Sequence, residues 1–82
     1  MHEYSLVQAM FERIDAVAAN ERASAVRRVR VTIGDTAGVD PDLFRTAYGA
    51  FRIGTLCADA PLDVVSVHGG DLMLDRLELE VP

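Results

Sequence analysis

The chain has 82 residues, half of them hydrophobic, and a formal net charge of −5. This length fits one small domain with a modest core, so we treat residues 1–82 as a single unit. The acidic balance argues against a nucleic-acid surface, which normally carries a basic stripe, and no apolar run reaches the ~20 residues that a membrane span requires.

The amino terminus, Met1-His2-Glu3, predicts a metal site. A free α-amine, the His2 imidazole and the intervening backbone nitrogens can surround one cation with a roughly planar set of donors. That geometry suits Ni(II) or Cu(II) better than Zn(II), which prefers a tetrahedron. The alternative is a solvated polar histidine, because short motif matches are often coincidental.

A helix is expected from Tyr4 to about Asn20. Its apolar residues recur at the spacing of one helix face, at Leu6, Val7, Met10, Phe11, Ile14, Val17 and Ala18. The amino end of a helix carries partial positive charge, so a cation bound there needs carboxylates to offset it. Glu3 can provide one, and complementing the helix dipole is its alternative role.

Glu3 and Glu12 also stand where a signal peptide would have its basic and apolar regions, so we expect a cytoplasmic protein. Cys57 is the single cysteine, which excludes an intrachain disulfide and a Cys-x-x-Cys zinc site. We expect a small buried apolar group at Cys57. A soft metal ligand or an intermolecular bridge are the alternatives.

A strand and a second helix follow. Val29, Val31 and Ile33 alternate with polar residues in the period of a strand that ends at Gly34. Asp40-Pro41-Asp42 then predicts a helix start, with Asp40 as the N-cap and proline at the first helical position. Gly54 is expected to end this helix.

Residues 62–68 and 72–81 are predicted to be two more strands, separated by Gly69-Gly70. Two glycines favour a tight hairpin turn. In that register Asp63 would face Arg76 as a cross-strand ion pair.

Two details of this region depend on the hairpin. Leu72 and Leu74 alternate in the opposite phase to the apolar residues after them, which predicts a bulge near Asp75-Arg76. His68, beside the turn, is expected to be solvated. Its alternatives are a weak metal site with Asp71 or a site shared between two copies.

The order helix, strand, helix, strand, strand predicts an α+β fold with two helices on one face of a three-stranded mixed sheet. A right-handed crossover through the second helix makes the first two strands parallel. We expect the third strand to lie between the other two, because its even alternation suits a central position.

Two stretches resemble the HypA/HybF family of nickel metallochaperones, which help insert nickel into nickel–iron hydrogenases and, in some organisms, urease. One is Met1-His2-Glu3-Tyr4-Ser5-Leu6. The other is 29–41, with the family's succession of strand, Ile-Gly, short loop, Gly-Val-acid-Pro and helix. The family's acid at that helix start has been placed near the nickel, and here it is Asp40. Helix capping alone would also explain an aspartate there.

The resemblance covers nearly the whole chain with one departure. The family inserts a zinc domain with paired Cys-x-x-Cys motifs between its last two strands, where this chain has Gly69-Gly70. We therefore expect no structural zinc.

The resemblance implies a nickel-binding accessory protein. Its ligands would be the Met1 amine, the His2 imidazole and backbone nitrogens, with Glu3 and Asp40 supplying charge compensation or hydrogen bonds. The implied cargo is Ni(II), and the implied partners are the nickel-handling GTPase of hydrogenase maturation and the hydrogenase large subunit. The alternative is a metal-indifferent protein–protein interaction module of the same family.

An enzyme is not expected. The two histidines lie at opposite ends of the chain, and neither a Gly-rich phosphate loop nor a local nucleophile–base pair is present. The sequence leaves the oligomeric state open.

Overall fold

The computed structural model describes residues 2–82, so Met1 lies outside the described part of the chain. The elements follow the predicted order: α1 His2–Asn20, β1 Ala25–Gly34, α2 Pro41–Phe51, β2 Leu62–Val67 and β3 Leu72–Glu80. The predicted α+β fold is confirmed, with two helices against one face of a three-stranded mixed sheet. Helix α1 starts two residues before the predicted Tyr4, and β1 starts four residues before Val29, the first apolar residue of the predicted alternation.

The core forms where the apolar faces of both helices meet the inner face of β1. Its fully buried members include Val7 and Ile14 of α1, Val29 and Val31 of β1, and Phe44 of α2. Aromatic rings also join the helices, since Phe11 of α1 lies 5.6 Å from Tyr48 and 6.1 Å from Phe51 between ring centroids. The helices therefore share one core and hold their amino-terminal ends in a fixed relationship.

The expectation that β3 is central is wrong, because the strand order is β2-β1-β3. Strand β1 pairs in parallel with β2, as the crossover predicted, and antiparallel with β3. Alternation shows only that one face of a strand is buried. The stronger indicator is depth: Val29, Val31 and Ile33 of β1 are at most 3% exposed, whereas the inward leucines of β3 are only partly buried.

The predicted hairpin is also wrong, because β2 and β3 lie on opposite sides of β1. The link 68–71 crosses the carboxyl end of β1, where Gly34 N–H donates a 2.7 Å hydrogen bond to the Asp71 carbonyl. A type I′ turn needs positive φ at both central residues. In this pair only Gly69, at φ 129°, has it.

The crossing explains the glycine at position 34. An ideal Cβ added there would lie 2.2 Å from the Gly69 carbonyl oxygen. No real Cβ packs that closely against backbone, so any side chain at Gly34 would displace the link.

The predicted bulge is confirmed. Arg30 pairs with Arg76 and Val31 with Leu74, which leaves Asp75 as the extra residue. Bulges are common on edge strands, and β3 is one. A second bulge, at Arg27 of β1, was not predicted.

The predicted Asp63–Arg76 ion pair does not form, since their strands are not neighbours. Asp63 of β2 instead accepts both of its hydrogen bonds from Arg28 of β1, at 2.8 and 3.0 Å. Arg76 lies beside Glu78, with 3.6 Å between Arg76 Nε and Glu78 Oε2. Both pairs lie at the surface, where ion pairs contribute little to stability.

Cys57 is 1% exposed, which confirms the expectation of a buried apolar group. Burial raises the pKa of the Cys57 thiol. Burial and the neighbouring Cys57 also raise the pKa of the Tyr48 hydroxyl. Within residues 2–82, no helix has the length and apolar content to cross a bilayer.

Candidate metal site at the amino-terminal helix

Glu3 connects the starts of the two helices. It stands in the first turn of α1, and its Oε2 accepts a 3.0 Å hydrogen bond from the backbone N–H of Asp40, which precedes α2. Its side chain is 11% exposed, although glutamate is rarely buried without a partner. The contact therefore fixes the Glu3 carboxylate at the junction of the two helices.

Asp40 is the N-cap of α2. Its Oδ1 accepts hydrogen bonds from the backbone N–H groups of Asp42 and Leu43, at 2.9 and 3.3 Å. Pro41 follows at the first helical position, where a missing N–H costs nothing. The predicted capping role of Asp40 is confirmed, and one of its carboxylate oxygens serves it.

His2 lies beside Glu3 at the surface. Its Nδ1 is 3.9 Å from Glu3 Oε2, and 60% of its side chain is exposed. An imidazole in this position is accessible to a cation from solvent while a carboxylate stays next to it.

The electrostatics of this junction favour negative charge. Both helices direct their partly positive amino ends toward it, and backbone N–H groups there prefer anionic partners. The Asp40 N–H is the main cause that lowers the pKa of Glu3, with smaller contributions from Glu3's own N–H and from His2. Glu3 is therefore ionised near neutral pH and offsets the positive helix ends that would otherwise repel a cation.

The described side chains alone do not complete a metal site. Among residues 2–82, no three His, Cys, Asp or Glu side chains are close enough together to hold an ion. The junction places the His2 imidazole beside the Glu3 carboxylate, and the Asp40 backbone N–H holds that carboxylate in place. The Met1 ligand predicted from the sequence lies outside the described residues.

The four predicted site residues thus differ in what the structure says of them. Glu3 lies next to His2 and accepts a hydrogen bond from the Asp40 backbone, but the three side chains do not gather into one metal-binding group. The Asp40 side chain is aimed at its own helix through Oδ1. The contact between Glu3 and Asp40 was missed by sequence reasoning, because 37 positions separate the two and only the helix packing brings them together.

A second polar cluster lies where the loop that leads from β1 to α2 begins. His68 Nδ1 is 3.2 Å from Asp35 Oδ2, and the backbone N–H of Gly69 donates to Asp35 Oδ1 at 3.0 Å. The sequence offered Asp71 as the partner of His68. A central β1 would have indicated Asp35, because it places the residue after Gly34 beneath the link 68–71.

The comparisons with known proteins agree on one family. Residues 1–70 match the family model described as "Hydrogenase/urease nickel incorporation, metallochaperone, hypA". Over 62 residues the chain is 42% identical to the hydrogenase maturation factor HypA of Shewanella halifaxensis, covering 76% of this chain and 54% of that protein. For the HypA of Wolinella succinogenes the identity is 37%, with 76% and 52% covered. The chain thus spans about half the length of the curated relatives it matches.

The solved structures match over more of this chain than the sequence relatives do. The solution structure of the Ni metallochaperone HypA from Helicobacter pylori superposes with a TM-score of 0.86, at 24% identity and with 98% of both chains covered. A second HypA solution structure gives a TM-score of 0.69, at 25% identity, over 96% of this chain and 92% of that one. These likenesses support the fold, and the family match rests on the sequence.

Proposed function

Because this chain belongs to the HypA family of nickel-incorporation metallochaperones, we propose that it binds Ni(II) at its amino terminus and supplies it during maturation of a nickel enzyme. The single observation that carries the proposal is the Glu3 carboxylate, fixed between His2 and the start of α2. The relatives are named as hydrogenase maturation factors, so the proposed client is a nickel–iron hydrogenase, with urease as the second client that the family description includes.

The proposed ligands are the Met1 α-amine, the His2 imidazole and backbone nitrogens of the first residues. The first N–H groups of a helix have no partner within it, so they are accessible to another acceptor or, once deprotonated, to a metal. Nickel(II) suits such a nitrogen-rich tetragonal set. Selectivity over Cu(II), which binds the same donors more tightly, must come from metal supply and partner contacts.

Glu3 and Asp40 act in this proposal through charge. Two carboxylates at the junction offset the two positive helix ends and part of the cation's charge. Asp40 keeps one oxygen on its helix cap, so its contribution to the metal is indirect or through its other oxygen. The His2 side chain is 60% exposed, so it can reach a cation while Glu3 keeps its bond to the start of α2, which suits a cargo that must be released.

The proposed partners are the nickel-handling GTPase of the maturation system and the hydrogenase large subunit. The family description supports a place in nickel incorporation, and an exposed His2 supports access by a second protein. We propose no resident zinc, since the single cysteine of the chain is buried in the core.

Complementation in a host that lacks its own HypA tests this function. Wild-type chain should raise nickel-dependent hydrogenase activity above the empty-vector level, and His2→Ala should not, at equal protein abundance. The metal-indifferent interaction module predicts instead that His2→Ala complements as well as wild type.

A further inference from the structure

His68 and Asp35 form an exposed pair, and Asp35 has more hydrogen-bond partners than His68. Asp35 accepts two hydrogen bonds, from His68 Nδ1 on one oxygen and from the Gly69 N–H on the other. These contacts, the Gly69 N–H first, lower the pKa of Asp35, so it is ionised near neutral pH. The His68 side chain is 95% exposed. One edge of the ring is therefore fixed to the protein, while its remaining nitrogen, Nε2, lies in solvent.

Several hydrogen bonds hold the backbone on which His68 and Asp35 stand. Backbone hydrogen bonds of 2.7–2.9 Å tie the end of β1 to the link at Gly34–Asp71, Asp35–Val67 and Thr36–Gly69. The Thr36 hydroxyl adds a 2.7 Å bond to the Gly69 carbonyl. The link therefore presents His68 from a rigid base.

This arrangement matches the chemistry of a metal-binding histidine. A histidine that binds a metal through one ring nitrogen usually donates its other N–H to a carboxylate, which fixes the tautomer and makes the ligating nitrogen more basic. Asp35 is such a carboxylate on Nδ1, and the neutral ring then carries its lone pair on Nε2.

We propose that His68 binds a late first-row divalent cation through Nε2, with Asp35 as the positioning residue that holds the ring through Nδ1. The site is separate from the amino-terminal one and is not needed for the function proposed above. This chain provides one side-chain ligand, so water or a donor from a second protein completes the coordination. Because the other coordination positions stay open, a metal bound to His68 could pass to donors of a second protein.

Zinc(II) titration followed by NMR of the imidazole nitrogens tests the proposal. The chain has two histidines, so His2→Ala, with one residue added before Met1, leaves His68 as the sole imidazole and removes the amino-terminal site. Zinc should shift the Nε2 resonance of His68 while Nδ1 stays protonated. The result does not depend on whether the amino terminus binds nickel.

Two further variants in this background isolate the role of Asp35. Asp35→Asn should weaken zinc binding at His68 by roughly tenfold or more, because the ring loses its ionised acceptor. Asp71→Asn, a neighbouring acid without contact to the ring, should leave the affinity within about twofold. Binding through Nδ1, no zinc-induced shift at His68, or an unchanged affinity in Asp35→Asn would each overturn the proposal.

Discussion

The backbone N–H of Asp40 donates a hydrogen bond to Glu3 Oε2 across 3.0 Å and so ties the start of α1 to the cap of α2. Through this bond, a residue at the predicted metal-binding terminus and a residue 37 positions later act on one another. The Asp40 side chain has two separable properties of its own, its capping oxygen and its negative charge.

Substitutions at Asp40 can separate those properties. Asp40→Ala removes the cap and should lower the free energy of unfolding by about 1 kcal/mol, whereas Asp40→Asn keeps a capping oxygen and should cost far less. Both remove the charge, so both should weaken Ni(II) binding. Urea denaturation and nickel titration of the two variants provide the measurements. Equal nickel affinity in wild type and Asp40→Asn would show that the Asp40 charge does not serve the metal.

Gly34→Ala should destabilise the fold by about 2 kcal/mol or more, because overpacking against backbone displaces the link 68–71. The Gly69 carbonyl oxygen stands 2.2 Å from the position of the new Cβ. Gly49→Ala in α2 is the matched control, since nothing lies within 4 Å of its Cβ position. There alanine should stabilise by about 0.5–1 kcal/mol. Similar denaturation midpoints for the two variants would contradict the crossing of the link over β1.

The strand order predicts which charged pair is coupled. A double-mutant cycle between Arg28 and Asp63 should show a small favourable coupling that weakens with salt, because the pair is half exposed. A cycle between Asp63 and Arg76 should show none, since β1 separates their strands. Coupling in the second cycle would restore the hairpin that the sequence suggested.

Asp35 should make stability depend on acid pH. Its pKa is lowered in the folded chain, first by the Gly69 N–H and then by His68, so its contribution is present above the unfolded value of about 3.9 and is lost as the pH falls toward the folded value. The stability difference between wild type and Asp35→Asn should therefore shrink as the pH falls below about 5. Denaturation at a series of pH values measures it, and a difference that stays constant with pH would refute the assignment.

The sequence predicted the elements well and their arrangement less well. Local signals were sufficient where the cause is local, as for the Asp40 cap, the apolar face of α1 and the bulge at Asp75. Strand order failed because alternation reports one buried face and carries no information about neighbours on both edges. The hairpin predicted from Gly69-Gly70 failed for a related reason, since two glycines permit a link across β1 as readily as a tight turn.

The candidate site shows the same division. His2 and Glu3 could be proposed from chain position and helix electrostatics alone. The contact of Glu3 with Asp40 and that of His68 with Asp35 depend on packing between distant segments. Neither contact can be predicted from the spacing of residues within one helix or strand.

Calorimetric titration of Ni(II) into the chain with its native amino terminus tests the central claim most directly, alongside His2→Ala and a form with one residue added before Met1. If the α-amine and His2 are ligands, wild type binds one equivalent and each variant binds at least about tenfold more weakly. Wild-type binding no tighter than that of the extended form would contradict the amino-terminal metal site.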